Sequence, residues 1–261
     1  MNRLTEVTKR AKKEGRKLFC AYITAGYPSL KHTEKLVIEM EKVGVDIIEL
    51  GFPFSDPLAD GPIIQKASSE AIKKGLSQEK YFSLVKRLRK KGVQVPIIFF
   101  TYYNPVFHAG EDKVLKKLKA SGFDGVLCPD IPYGVDEGLA KKTKKLGLSY
   151  VRLIAPNTTK TRARQIAAAS DDFVYYVARK GITGKQQSLS ASLSKELKVI
   201  NSLTNKAVLV GFGVSSKEQV KTILKNADGV IVGSAIVQRL IDTKSVRKTA
   251  DFTKQLVKTV H

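Results

Sequence analysis

Soft and imidazole ligands are scarce in this chain of 261 residues, which has two cysteines and three histidines. Cys20 and Cys128 each sit inside an apolar run with no CxxC spacing, so both read as reduced core residues and not as a zinc or redox site. His32, His108 and His261 are far apart in sequence and signal neither a metal cluster nor a histidine-based triad. No apolar stretch approaches the roughly 20 residues of a membrane span, and the opening MNRLTEVTKRAKKEGRK has no apolar core of a signal peptide. A soluble, cytoplasmic protein without a metal is expected.

Acidic residues are the other shortage. Asp and Glu number 24 against 46 Lys and Arg, which leaves a net charge of +22 and first suggests a nucleic-acid partner. The distribution argues otherwise. Basic groups fall at 9–17, 86–91, 113–119, 141–145 and 217–225, each in or beside a segment of helical periodicity, and no aromatic residues interleave with them. Spread over helices that ring a barrel they form a solvated surface, so neither nucleic acid nor membrane is expected as a partner.

What the chain does have is alternation. The hydrophobic fraction of 43% is enough for a sizeable core. An amphipathic basic helix at 4–14 is followed by apolar runs at 18–24, 47–50, 96–102, 123–128, 150–155, 173–178, 207–210 and 229–232, with helical spacing between them. The helical region at 63–91 breaks near Gly75-Leu76-Ser77. Eight apolar runs, each followed by a helix, predict an α/β fold: a (β/α)8 TIM barrel with an extra N-terminal helix, forming a single catalytic domain over 1–261. The runs are continuous and not alternating, as strands buried on both faces should be. A doubly wound open sheet is the second choice, but it would want fewer strands and a GxGxxG turn that is absent.

The stretch 47–75, IIELGFPFSDPLADGPIIQKASSEAIKKG, organises the rest. Glu49 stands where a buried strand would ordinarily carry another aliphatic. The segment 52–62 then contains three prolines and a glycine, which exclude a helix interior and a central strand, and Pro62 suits the first turn of the helix that follows. In a barrel the active site lies at the C-terminal ends of the strands. That gathers Glu49, Asp60, Tyr102, Asp130, Tyr175 and Thr183-Gly184. Glycines at 211, 213 and 233, with a helix starting at Ser234, suit a phosphate cradle after the seventh and eighth strands. A carboxylate among aliphatics should have its pKa raised, which suits proton transfer in both directions; a structural Glu paired with a cation or hydroxyl is the alternative. Asp60 stays open between a functional carboxylate and a turn residue.

These residues together resemble the tryptophan synthase α-chain family. The likeness rests on IELGFPFSDPLADGP (48–62), supported by YITAGYP (22–28), DGVL (124–127) with Asp130 and Pro132, GITG (181–184), GFG (211–213) and GSAI (233–236). It spans the chain and implies retro-aldol cleavage of indole-3-glycerol phosphate to indole and glyceraldehyde 3-phosphate. It further implies Glu49 as general acid/base and Asp60 as second carboxylate. Tyr22, Phe100, Tyr102, Leu127, Leu153, Tyr175, Thr183 and Phe212 would line the substrate pocket; Gly184, Gly213, Gly233 and Ser234 would hold the phosphate. Loops 54–62 and 183–193 would be mobile covers. The expected partner is a tryptophan synthase β subunit in an α2β2 heterotetramer, with Asp56 a candidate contact. No cofactor is expected in this chain, pyridoxal phosphate belonging to the β partner. A stand-alone indole-releasing lyase and a catalytically silent phosphate-binding scaffold are the competing expectations.

Overall fold

The computed structural model describes residues 2–178, 186–211 and 213–261, with the backbone alone at 186–191. Among the described residues the strands are β1 (Leu18–Thr24), β2 (Ile47–Gly51), β3 (Ile97–Phe100), β4 (Gly125–Leu127), β5 (Ser149–Tyr150), β6 (Arg152–Ile154), β7 (Phe173–Val177), β8 (Ala207–Gly211) and β9 (Gly229–Val232). The helices are α1 (Arg3–Glu14), α2 (Leu30–Lys42), α3 (Pro62–Lys73), α4 (Gln78–Lys90), α5 (Tyr103–Ala109), α6 (Glu111–Ser121), α7 (Glu137–Lys145), α8 (Lys160–Ala169), α9 (Gln186–Ser202), α10 (Lys217–Leu224), α11 (Ser234–Thr243) and α12 (Val246–Val257).

The strands pair in parallel in the order β5-β4-β3-β2-β1-β9-β8-β7-β6. The two ends of that order, β5 and β6, are separated in the chain by Val151 alone, whose N–H donates to the Val126 carbonyl at 3.0 Å. The sheet therefore closes on itself. The fifth predicted run pairs with β4 through its first half and with β7 through its second, and the expected (β/α)8 barrel results.

Alternate residues of each strand enter different clusters. Leu18 and Cys20 of β1 pack inside the barrel with Ile47, Ile98, Leu127, Val151, Phe173, Leu209 and Ile231, while Phe19, Ala21 and Ile23 face the helix layer. Leu4 and Ala11 of α1 join the interior set, so the extra N-terminal helix plugs the end of the barrel where the strands begin. Polar ties fix that end. Asp124 accepts from Arg3 at 3.0 Å, Arg89 at 2.7 Å and the Ile97 N–H at 2.9 Å, and Asp46 holds Arg16 at 2.7 Å and His261 at 3.2 Å.

Several boundaries follow their expected chemistry. Pro62 occupies the first turn of α3 after Gly61, and the break at 75–77 is real: Gly75 has φ +73° and the Ser77 hydroxyl caps α4 at the Lys80 N–H. Other boundaries depart from the sequence reading. The third run ends as a strand at Phe100 and not at Tyr102, and α5 follows it unforeseen. The reason lies in another element: Asp130 accepts from the Tyr103 N–H at 2.9 and 3.1 Å, so a distant carboxylate supplies the cap that Tyr102 lacks. Asp130 thus serves α5 and does not face the site. The cover expected over 183–193 is helical from Gln186 onward. At the far end α12 extends the chain past the last element expected from sequence.

Candidate active site

At the C-terminal ends of the strands the barrel opens into a cavity of about 1040 Å³. Tyr22 of β1, Glu49 of β2, Phe100 of β3, Leu153 of β6, Tyr175 of β7 and Ile231 of β9 form its floor and inner wall, and Asp60 reaches it from the loop after β2. Strand register brings Tyr22 opposite Glu49 on the one side and Ile98 opposite it on the other. Each inward position follows from the two-residue period of a strand.

Glu49 is 1% exposed, and its Oε1 has no hydrogen-bond partner among the described residues. Burial is the cause that pushes its carboxyl up to about 8. A charged carboxylate there would lose its hydration with nothing in exchange, so the proton stays bound near neutral pH. The structural alternative, a Glu paired with a cation or hydroxyl, has no counterpart among the described residues. Asp60 is less enclosed: burial raises its carboxyl to about 6, against a hydrogen bond from Tyr102 that lowers it. Two carboxyls on one cavity, tuned to different ranges, form a pair suited to proton transfer and to charge stabilisation.

The tyrosines are seated by glycines. A methyl group at Gly51 would fall 2.2 Å from the Tyr22 hydroxyl, and one at Gly211 would fall 2.2 Å from that of Tyr175. No other residue leaves room for the rings to lean over these strand ends. Burial first, and then nearby carboxyls, push both phenols above their ordinary range, so they remain neutral donors. Phe100 meets Tyr22 edge-on with centroids 5.2 Å apart, which puts an apolar aromatic pair beside the carboxyls.

Gly213, with φ +76°, Gly233 and Ser234 lie together on the cavity wall, and Ser234 begins α11. The first N–H groups of that helix are available to an anion, as expected of a phosphate cradle. Gly184, Thr183 and Phe212 lie outside the described residues.

Two expected pocket residues are placed elsewhere. Leu127 is fully buried in the barrel's interior cluster, away from the cavity wall. Tyr102 also stands off the wall. Its hydroxyl accepts from the Ala59 N–H at 2.9 Å and donates to the Asp60 carboxyl, and its ring packs 5.4 Å from Phe54, so it holds the Asp60 loop and its carboxyl without bordering the cavity itself. Cys128, expected in the core, is buried and free but borders the cavity.

The sequence reading missed the cavity's outer part, where Tyr133, Asp136, Arg152 and Arg162 stand. Arg152 pairs with Asp136 at 2.5 Å. Its signal was present: an arginine interrupts an apolar run there as Glu49 does in β2. Among the described residues no group of three or more His, Cys, Asp or Glu is placed to hold a metal ion, and no helix is long and apolar enough to cross a membrane.

Comparison with known proteins adds an independent line. The profile of the family described as tryptophan synthase alpha chain matches residues 8–260. The tryptophan synthase alpha chain of Dehalococcoides mccartyi is 41% identical over 241 residues, covering 92% of this chain and 94% of the relative. That of Geobacillus thermodenitrificans is 43% identical over 225 residues, covering 86% and 84%. Among solved structures, the tryptophan synthase subunit alpha of Legionella pneumophila superposes with a TM-score of 0.92 at 28% identity, over 100% of this chain and 98% of that one. A chain of Mycobacterium tuberculosis tryptophan synthase in its aminoacrylate-bound form gives 0.87 at 29% identity, with both chains fully covered.

Proposed function

This chain belongs to the tryptophan synthase alpha chain family, whose lyase activity is cleavage of indole-3-glycerol phosphate, and we propose that Glu49 and Asp60 carry that reaction here. The observation that supports this most directly is the buried Glu49 carboxyl, whose Oε1 has no partner among the described residues, on the same cavity as Asp60.

Cleavage needs a proton at indole C3, which turns the ring into an iminium-like electron sink. It then needs removal of the proton from the hydroxyl on the adjacent glycerol carbon. As that O–H electron pair becomes the aldehyde carbonyl, the C3–carbon bond breaks and its electrons return to the indole ring. Glu49, protonated at neutral pH, is suited to deliver the first proton and, once ionised, to take the second. Asp60, ionised above about 6, suits the indole N–H as positive charge grows on it. Tyr22, Phe100, Leu153 and Tyr175 would hold the indole and glycerol parts, and Gly213, Gly233 and Ser234 the phosphate. The indole ring supplies its own electron sink, so the scheme calls for no organic cofactor in this chain.

The partner reading is a tryptophan synthase β subunit carrying pyridoxal phosphate, in an α2β2 assembly in the cytoplasm. Support comes from the rim of the cavity, where Leu58, Phe107 and Val135 stand exposed on the segments after β2, β3 and β4. Large apolar side chains on one end of a molecule suit a protein partner. Asp56, in the same β2 segment, is a candidate contact, and the loop 54–62 is suited to close over substrate.

The test is release of glyceraldehyde 3-phosphate from indole-3-glycerol phosphate by the purified chain, with and without a cognate β subunit. Slow release that rises sharply with the partner is expected. Fast release indifferent to the partner would identify an independent lyase, and none in either mixture would leave a silent scaffold.

A further inference from the structure

We propose that Arg152 is a positioning residue that pre-forms the partner-facing segment 130–136; this rests on the β-subunit reading above. Arg152 lies between Val151 and Leu153, which belong to the barrel interior, so its side chain turns to the outer layer, where it borders the outer part of the cavity. There it is only 7% exposed. A guanidinium so placed needs its charge met. Its Nε donates to Asp136 Oδ2 at 2.5 Å and its Nη1 to the Ala169 carbonyl, while its plane lies 4.7 Å from the Tyr150 ring centroid and 5.6 Å from that of Tyr133.

Asp136 is the joint. It is 1% exposed, and while Oδ2 takes Arg152, Oδ1 accepts from the Gly134 N–H at 3.1 Å. One carboxylate thus closes the turn and fastens it to the barrel wall. At the tip of that turn Val135 stays 71% exposed. The other ties on the turn are local or at the surface: the Asp136 and Val135 N–H groups donate to the Pro132 carbonyl, and exposed Arg162 donates to that of Tyr133. Buried ion pairs are weak stabilisers but can fix one geometry among several. Here the geometry fixed is that of an exposed apolar tip beside the substrate cavity. A surface held ready binds more tightly than one that must first be ordered, because apparent affinity scales with the competent fraction.

The test titrates a cognate β subunit into the full chain and follows glyceraldehyde 3-phosphate release. Wild type is compared with Arg152→Lys and with the double variant Arg152→Met/Asp136→Leu, which leaves no buried charge unpaired. Basal kcat and KM are followed in the same titration, because Arg152 and Asp136 border the cavity, and any change in them is read apart from the midpoint. The β concentration giving half-maximal stimulation is expected to rise about tenfold, with the same rate at saturation. Amide exchange at Gly134 and Val135 in the isolated chain is expected to quicken about tenfold while the barrel strands keep their protection. An unchanged midpoint with unchanged exchange overturns the proposal, as does a raised basal KM with an unchanged midpoint. A wild type that responds to β while both variants respond identically removes this proposal alone. A wild type that does not respond removes the partner reading, and the proposal with it.

Discussion

At Glu49 the burial that suits proton transfer also costs stability. Its carboxyl is raised from 4.5 to about 8 on folding, so its contribution is fully favourable below about 4.5 and is lost as pH rises through 8. Glu49→Gln mimics the protonated form. We expect it to lower cleavage by about 10²- to 10⁴-fold while leaving the fold intact. In thermal melts the variant should exceed wild type above about pH 9 and match it near pH 4; an equal offset at both would mean that Glu49 does not titrate in this range. Asp60, raised to about 6, sets the opposite limb. The pH profile of kcat/KM should rise as Asp60 ionises and fall as Glu49 loses the proton it must deliver, and Asp60→Asn should be severely impaired. Near-normal turnover in that variant would return Asp60 to a turn residue. Glu49 was legible because a carboxylate in an apolar run is costly to bury, and chemistry is the commonest reason for a chain to keep one there. Arg152 carries the same signature in β6, yet its meaning depends on Asp136, and spacing does not reveal a partner 16 positions away. Leu127 was placed in the pocket by the family resemblance alone; alternation along a strand shows only which side chains point inward. It does not show how high the packed interior rises, and Leu127 stays within it while its register partner Phe100 reaches the cavity.

Elements were legible where their own residues end them. Gly75 and Ser77 separate α3 from α4 by a positive φ and a side-chain cap, both of which lie in the local sequence. The fold class followed from the same kind of signal, since continuous apolar runs mark strands covered on both faces. By contrast α5 depends on Asp130, which arrives from the next βα unit, and no local pattern announces it. Asp130→Ala should therefore act on α5 and not on catalysis: a stability loss of about 1 kcal/mol, as for a lost cap, with basal kcat unchanged. Chemical denaturation alongside the release assay checks this. A large drop in basal kcat would place Asp130 back at the site. The interruption of the fifth run was equally illegible, because the residue that divides β5 from β6 is an ordinary valine whose role is set by its two neighbours in space.

Over the whole molecule, charge follows the architecture. Helices of a barrel run against the strands, so their C-termini return to the end plugged by α1, and the last turns of α1, α4 and α7 carry lysines and arginines where the helix dipole favours them. The excess read from composition is thus arranged around the body, in part at the end away from the cavity. It still sets a long-range field for an anionic substrate. Wild-type kcat/KM is expected to fall as ionic strength rises from about 0.01 to 0.5 M, with kcat unchanged, because screening shortens the reach of the charge. A flat kcat/KM would mean that the net charge does not act at the mouth of the cavity. The closure at Val151 bears on the molecule's behaviour in crowded solution. A ring of strands offers no free edge, so no second chain can add itself to this sheet while the ring is shut. Self-association through the backbone must wait for a breach, and the two-residue β5 beside Val151 is the shortest strand of the hoop. The short fifth run is therefore where the barrel would first become sticky, and the place to brace it against aggregation.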